Sequence, residues 1–278
     1  MSISADLKYV NKVIAMDCIA GMRQLPPAIA DLVIADPPYG LSEKGKNMSA
    51  KGKNWKIVNE KWDTMTKDEF HSMAVAFISE AKRLMKPDAT IWVYGTYHRI
   101  GVVKDVLDEL EFDVLNEVIW FKRNAFPNLS ADRFAASHEN ILWARVKGSG
   151  MSHKFNYDLI KDMSFPEDSF KERGKQMRSV WDIPINKGRN ELEFGSHPTQ
   201  KPLRICKRII LSCSNQDDIV LVPFCGSGSE CVASYQLRRR FISFETNADY
   251  RSLAIRRLKH ERQQGMQTSI DEFARLVP

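Results

Sequence analysis

The chain has 278 residues, 43% of them hydrophobic, with a formal charge of +6 and an isoelectric point near 9.0; that length can bury a full core in one α/β domain. Its longest apolar runs fall far short of a membrane span, and Met1 to Leu7 lack a basic start and an apolar stretch, so a membrane or secreted protein is not expected and the cytoplasm is. The five cysteines (Cys18, Cys206, Cys213, Cys225, Cys231) show no paired metal-ligand spacing and their count is odd, so neither a metal site nor a disulfide framework is expected.

Val10 to Ala15 is predicted as a strand ending at Met16, Asp17 and Cys18, followed by a helical stretch through Ile19, Met22 and Leu25 that Pro26 and Pro27 stop. Asp17 then stands at a strand end and also suits the N-cap of that helix. Leu32 to Ala35 form the next buried strand, and Asp36 Pro37 Pro38 Tyr39 lie just beyond it, where ligands bind in open α/β sheets. Proline fixes φ and lacks an amide hydrogen, so the carbonyls of Asp36 and Pro37 have no ladder to join and are free to accept from a ligand. A carboxylate beside a free carbonyl suits an exocyclic amino group with two hydrogens, and Tyr39 offers a face to a planar base. An adenine amino edge fits this set.

Ser42 to Lys61 holds six lysines against two glutamates. It reads as a basic loop that orders on a phosphate backbone, or otherwise as a solvated surface loop. Thr66 and Glu69 make a capping box for a helix whose apolar face runs Phe70, Met73, Ala74, Phe77, Ile78, Ala81, Leu84 and Met85, up to Pro87. A strand at Thr90 to Gly95, a helix at Val102 to Leu110 and a strand at Val114 to Phe121 continue a βαβ alternation, which implies a largely parallel sheet with both faces covered. From Lys122 to Gly195 the alternation weakens, leaving one strand at Ile141 to Arg145, and the segment reads as an insertion. Arg123 and Arg178 are among its many possible donors to bases or phosphates, which their spacing does not rank.

His197 Pro198 Thr199 Gln200 Lys201 Pro202 precede an amphipathic helix carrying Leu203, Cys206, Ile209, Ile210 and Cys213, with Pro202 suited to its first position. Its unpaired first amides offer a seat for a carboxylate. Ile219 to Val222 is a strand that Pro223 to Ser229 turns into a helix, with Gly226 and Gly228 allowing a tight turn and close approach of a ligand. Glu245 ends the next strand, Phe241 to Phe244, 17 residues after Gly228. An acidic side chain at about that distance meets ribose hydroxyls, a geometry that would also suit a dinucleotide. The last helix turns Leu253, Ala254 and Leu258 inward and Arg251, Arg256, Arg257 and Lys259 largely outward.

Asp36 to Tyr39 resembles the signature of the amino-methyltransferases. Together with Val93 to Arg99, His138 to Trp143, Phe155 to Tyr157, Gly174 to Arg178, His197 to Pro202, Phe224 to Ser229 and Glu245, in that order, it is similar to the β-class DNA adenine-N6 methyltransferases, including their cell-cycle-regulated branch. The resemblance covers nearly the whole chain. It implies an α/β, Rossmann-like, seven-stranded S-adenosylmethionine-dependent methyltransferase sheet, largely parallel with one reversed strand and flanked by helices. It implies one domain, 1–278, with the basic loop at 42–61 and a target-recognition insertion at about 122–195. The cofactor it implies is S-adenosyl-L-methionine, seated by Asp17, Thr199, Gln200, Lys201, Phe224, Gly226, Ser227, Gly228, Ser229 and Glu245. Asp36, Pro37, Pro38 and Tyr39 are the implied catalytic residues, with Asp36 and the Pro37 carbonyl holding the target amino group and Tyr39 stacking on the base. The implied partner is duplex DNA, contacted by Lys44, Lys46, Lys51, Lys53, Arg123 and Arg178, and the resemblance admits a homodimer and a cognate restriction endonuclease.

The alternatives are narrower. Cytosine-C5 methylation needs a nucleophilic cysteine, usually after a proline, and no Pro-Cys pair occurs. Cytosine-N4 methylation uses the same geometry, but Asp rather than Ser stands at position 36. Adenine-N6 methylation of RNA, a nucleotide-binding oxidoreductase and a catalytically dead DNA-binding relative complete the set; the intact Asp36 site disfavours the last two. One departure from the family remains: Val222 stands where relatives carry Asp before Pro-Phe.

Overall fold

The computed structural model describes residues 8–39, 49–50, 53–54, 65–125, 127–128, 131–185, 189–195 and 197–265. In chain order, β1 (Lys12–Ile14), α1 (Cys18–Met22) and β2 (Ala30–Ala35) precede a short hairpin of β3 (Ser49–Ala50) and β4 (Lys53–Asn54). Then come α2 (Lys67–Leu84), β5 (Met85–Gly95), α3 (Ile100–Glu109), β6 (Phe112–Phe121), β7 (His138–Val146), α4 (Tyr157–Asp162), β8 (Val180–Asp182) and α5 (Arg189–Leu192). The chain closes with α6 (Leu203–Cys213), β9 (Ile219–Val222), α7 (Ser229–Gln236), β10 (Arg240–Phe244) and α8 (Ala248–Gln264).

The capping box forms: the Glu69 amide donates to Thr66 Oγ1 at 3.2 Å, and the Thr66 amide donates to Glu69 Oε2 at 2.8 Å. It fixes where α2 begins, and the helix then buries Phe70, Ala74, Phe77, Ile78, Ala81 and Leu84 along one face. Pro87 does not follow a loop, because β5 starts at Met85 directly after the helix. The register between β2 and β5 shifts after the pair Ala30 and Met85, and the residues slipped there include the proline, whose missing amide a central ladder could not use.

Among the described residues, eight strands form one sheet in the order β1-β10-β9-β2-β5-β7-β6-β8. All its pairings are parallel except those of β7, which runs antiparallel to both β5 and β6. The single reversed strand is therefore present, and the expected seven strands become eight. The additional one is β8, which pairs with Ile119 to Phe121 of β6. Both β7 and β8 lie inside the segment read as an insertion, so that segment completes the sheet as well as carrying irregular chain.

Side chains alternate across the strands. Leu32, Ile34, Val220 and Val222 join one core with α6, α7 and α8, whereas Val33, Ala35 and Leu221 join the other with α1, α2 and α3. All five cysteines are free and buried. Among the described residues no helix is long and apolar enough to cross a membrane.

The sheet order places the site. The crossover after β2 leads to β5 on one side, while the crossover after β9 leads to β10 on the other, and β2 and β9 are neighbours. A crevice opens where the winding reverses, outside the carboxyl ends of these two strands. Asp36 follows one and the glycine turn follows the other.

Candidate active site

A cavity of about 490 Å³ occupies this crevice, and Asp17, Asp36, Pro37, Pro38, Tyr39, Thr199, Gln200, Lys201, Phe224, Gly226, Ser227 and Glu245 line it. Residues spread over most of the chain thus meet in one space. Gly228 and Ser229 support the turn from behind and are not on the wall.

Asp36 leaves β2 with both carboxylate oxygens engaged. The Tyr39 hydroxyl donates to Oδ1, and Lys201 Nζ lies 2.8 Å from Oδ2. Lys201 also reaches Glu139 Oε2 at 3.3 Å and stands 4.8 Å above the Tyr94 ring. Its side chain is 3% exposed. Burial acts to lower the Lys201 pKa, but Asp36 and Glu139 outweigh it and leave it raised. Burial raises the Asp36 pKa, with Lys201 pulling the other way. The geometry is that of a buried ion pair in which the cation opposes the effect of burial on the carboxylate.

Lys201 lines the cavity, as the resemblance implies, and its ammonium meets the Asp36 carboxylate there. The Tyr39 hydroxyl is folded back onto Asp36, and the residue lines the cavity with 5% of its surface exposed. Arg99, the N-cap of α3, fixes the chain just beyond, donating from Nε to the Tyr39 carbonyl at 3.0 Å and from Nη2 to the Met65 carbonyl at 2.8 Å.

On the other side of the crevice the glycine turn takes left-handed φ values, 49° at Gly226 and 78° at Gly228. At Gly228 a Cβ would lie 2.8 Å from the Ala254 Cβ, so glycine is required there for both space and conformation. The Gly226 amide donates to Glu245 Oε2 at 2.8 Å, and the Asn247 amide donates to Oε1 at 2.8 Å. Each oxygen retains a lone pair for a hydroxyl group. Asp17 caps α1, accepting from the Ala20 amide at 3.0 Å, and lines the cavity as well, so its two readings coexist.

Three expectations about the cofactor half are corrected. Arg257, read as outward, is buried and donates to the Ser227 carbonyl at 2.7 Å and to the hydroxyls of Ser227 and Ser229 at 3.1 and 3.2 Å. A guanidinium that can satisfy several turn oxygens at once is pulled inward by that geometry. The first turn of α6, read as an open carboxylate seat, is already served by the chain: the Leu203 amide donates to Glu191 Oε2 at 2.9 Å. Pro202 is the N-cap of α6 rather than its first residue.

Of the expected DNA contacts, Lys44, Lys46 and Lys51 lie outside the described residues, as does the Lys53 side chain. Arg178 is exposed. Arg123 is also exposed, pairing with Asp182 Oδ1 at 2.8 Å and donating to the Glu167 carbonyl. Val222 is fully buried and is not on the cavity wall, so a packing role accounts for it. Sequence reasoning gives no site role to Glu139, Tyr94, Arg99, Arg257 or Glu230, although Val93 to Arg99 and His138 to Trp143 are among the segments that carry the resemblance. The available signal is a charge set in an apolar run, as at Glu139 before Ile141 to Ala144 and at Glu230 before Cys231 to Ala233.

Comparison with known proteins agrees with this architecture. A family model for DNA methylases of the N6/N4 type matches residues 30–256. The type II methyltransferase M2.DpnII of Streptococcus pneumoniae is 36% identical over 258 residues, 91% of this chain and 92% of the relative. M2.MboI of Moraxella bovis is 37% identical over 243 residues, 87% of this chain and 85% of the relative. Among solved structures, the M1.HpyAVI–SAM complex superposes with a TM-score of 0.61 at 25% identity, covering 89% of this chain and 98% of the other. The cytosine-N4-specific PvuII DNA methyltransferase shares the fold, with a TM-score of 0.67 at 16% identity over 94% of each chain.

Proposed function

This chain belongs to the N6/N4 DNA methylase family, and we propose that Asp36, held by Lys201, presents the N6 amino group of an adenine from duplex DNA to S-adenosylmethionine. The protein is a DNA methyltransferase acting on adenine N6 with that donor. The observation that carries the assignment of roles is the 2.8 Å ion pair of Lys201 and Asp36 in the cavity that the glycine turn also lines.

The residues fit the donor. The turn at Gly226 lets a ligand approach the backbone. The Glu245 and Asp17 carboxylates can accept from ribose hydroxyls, and Met16, Ile19 and Phe224 give apolar wall for a planar ring. When bound, the donor supplies an electrophilic methyl on a sulfonium. Asp36 accepts a hydrogen from the target amino group, which draws the nitrogen lone pair out of ring conjugation and aims it. As the nitrogen takes the methyl and the sulfonium leaves as a neutral thioether, Asp36 would take up the proton that the nitrogen gives up. Lys201 favours the ionised form of Asp36 for that contact. Since a stacked base cannot reach this crevice, the adenine must leave the duplex.

We assign target recognition to the irregular parts of about 122–195, and phosphate contact to the basic segment 42–61 and to Arg178. The type II naming of its relatives supports pairing with a restriction endonuclease of the same recognition sequence. Duplex DNA and RNA incubated with the protein and the donor, then digested to nucleosides, distinguish the outcomes. N6-methyladenine from the duplex is expected; N4-methylcytosine, or methylation of RNA alone, would overturn the assignment.

A further inference from the structure

Among the described residues four acids line the cavity: Asp17, Asp36, Glu230 and Glu245. Asp36 has Lys201, Glu245 has two backbone amides and Asp17 has the Ala20 amide. Glu230 stands in the first turn of α7 and is 4% exposed; among the described residues it accepts only from the Cys206 thiol, at 3.5 Å, beyond its own amide. A buried carboxylate this weakly partnered costs free energy unless a cation meets it.

The sheet order says which cation. Glu245 follows β10, the glycine turn follows β9 and Asp36 follows β2, in adjacent positions along the sheet. A donor laid with its ribose at Glu245 and its methyl at Asp36 has its sulfur between them, and its methionyl chain branches from that sulfur along the remaining wall of the cavity, which Glu230 lines. Glu230 lies in the first turn of the helix that leaves the glycine turn, and it senses the charges of Asp36 and Lys201. The methionyl group carries an ammonium, and the strand-end residue before the turn, Val222, offers no carboxylate.

We propose that Glu230 is the counter-ion of the donor's methionyl ammonium. The proposal rests on the methyltransferase reading and adds to it a specific contact. Burial, with the Asp36 charge, raises the Glu230 pKa to about 7, so an arriving ammonium lowers it and expels a proton near neutral pH. The other charged or titratable groups around Glu230 are Lys201 and Asp36, Cys206 of α6, Tyr94 of β5 and Arg257 of α8. The Cys206 and Tyr94 pKa values are both pushed well above their ordinary values.

Calorimetry with three ligands tests this. S-adenosylmethionine and S-adenosylhomocysteine both carry the ammonium, whereas 5′-methylthioadenosine lacks the whole amino-acid end. Glu230→Gln should weaken the first two by roughly ten- to a hundredfold and leave the third unchanged. Unchanged binding of the third also reports that the variant is folded. On the wild type, affinity for the first two should fall by up to about tenfold per pH unit below about 7, with proton release detected as a buffer-dependent enthalpy. Glu230→Gln should flatten that profile. Equal affinities of wild type and variant for all three ligands would overturn the proposal. Loss confined to S-adenosylmethionine would overturn it too, by placing Glu230 at the sulfonium. A wild type that binds neither of the first two ligands would instead overturn the methyltransferase reading, and this inference with it.

Discussion

Lys201 Nζ lies 2.8 Å from Asp36 Oδ2, so the cation that closes the sequence His197 to Lys201 supports the carboxylate that begins Asp36 to Tyr39. Lys201→Met should reduce kcat by roughly a hundredfold, as expected for loss of one preorganised charge at a reacting group. Asp36 without its cation protonates more readily, so the acid limb of the activity profile should move to higher pH. A fall in activity with an unmoved acid limb would show that Lys201 only packs.

The glycine turn separates steric from conformational cost. Gly228→Ala places a Cβ 2.8 Å from the Ala254 Cβ at φ 78°, whereas Gly174→Ala, at φ 76°, meets nothing within 4 Å. The first should cost about 2–4 kcal/mol of stability and weaken donor binding, the second about 1 kcal/mol with no effect on binding. Denaturant unfolding and calorimetry read both, and equal losses at the two sites would refute the contact with α8.

A second buried ion network holds the opposite end of the sheet. Asp31 is 2% exposed and accepts from Lys86 and Lys154 at 2.8 Å and from the Ile219 amide at 2.9 Å. Burial acts to raise its pKa, but the two lysines and the amide outweigh it and leave it below the usual carboxylate value. A depressed folded-state pKa gives stability that is complete above the unfolded value of about 3.9 and is lost as pH falls through the folded one. Asp31→Asn should cost about 3 kcal/mol at pH 7, with the gap to wild type closing in strong acid; a gap independent of pH would contradict this.

The central contacts are legible in the sequence only in part. An apolar strand followed by Asp36, a capping box at Thr66 and Glu69, and a glycine turn followed by Glu245 are local patterns, and local physics forms them. Lys201 against Asp36 and Arg257 against Ser227 join residues distant in sequence, and no periodicity reports such pairs. Arg257 lies on a helix rich in basic residues, where charge alone argues for solvent; its burial follows from the turn oxygens it can satisfy. β8 escapes notice because three residues, Val180–Asp182, are too short to show alternation. Glu191 of α5, whose carboxylate meets the first amide of α6, is hidden for the same reason as Lys201.

The basic segment gives a salt-dependence prediction. Neutralising Lys44, Lys46, Lys51 and Lys53 to Gln should weaken binding to all DNA sequences alike, and reduce the log–log salt slope by about 0.9 for each phosphate that no longer has a lysine beside it. A slope equal to that of wild type would mean that these lysines do not touch the backbone.

Single-turnover methylation by Asp36→Ala, with duplex DNA and S-adenosylmethionine both saturating, tests the account most directly. Lys201 keeps Glu139 at 3.3 Å, so the fold and donor affinity should survive the change. The rate should fall roughly a thousandfold or more, with Asp36→Asn retaining a trace because its amide oxygen still accepts a hydrogen bond. A rate for Asp36→Ala close to that of wild type, with donor affinity intact, would contradict the assignment of Asp36 to the target amino group.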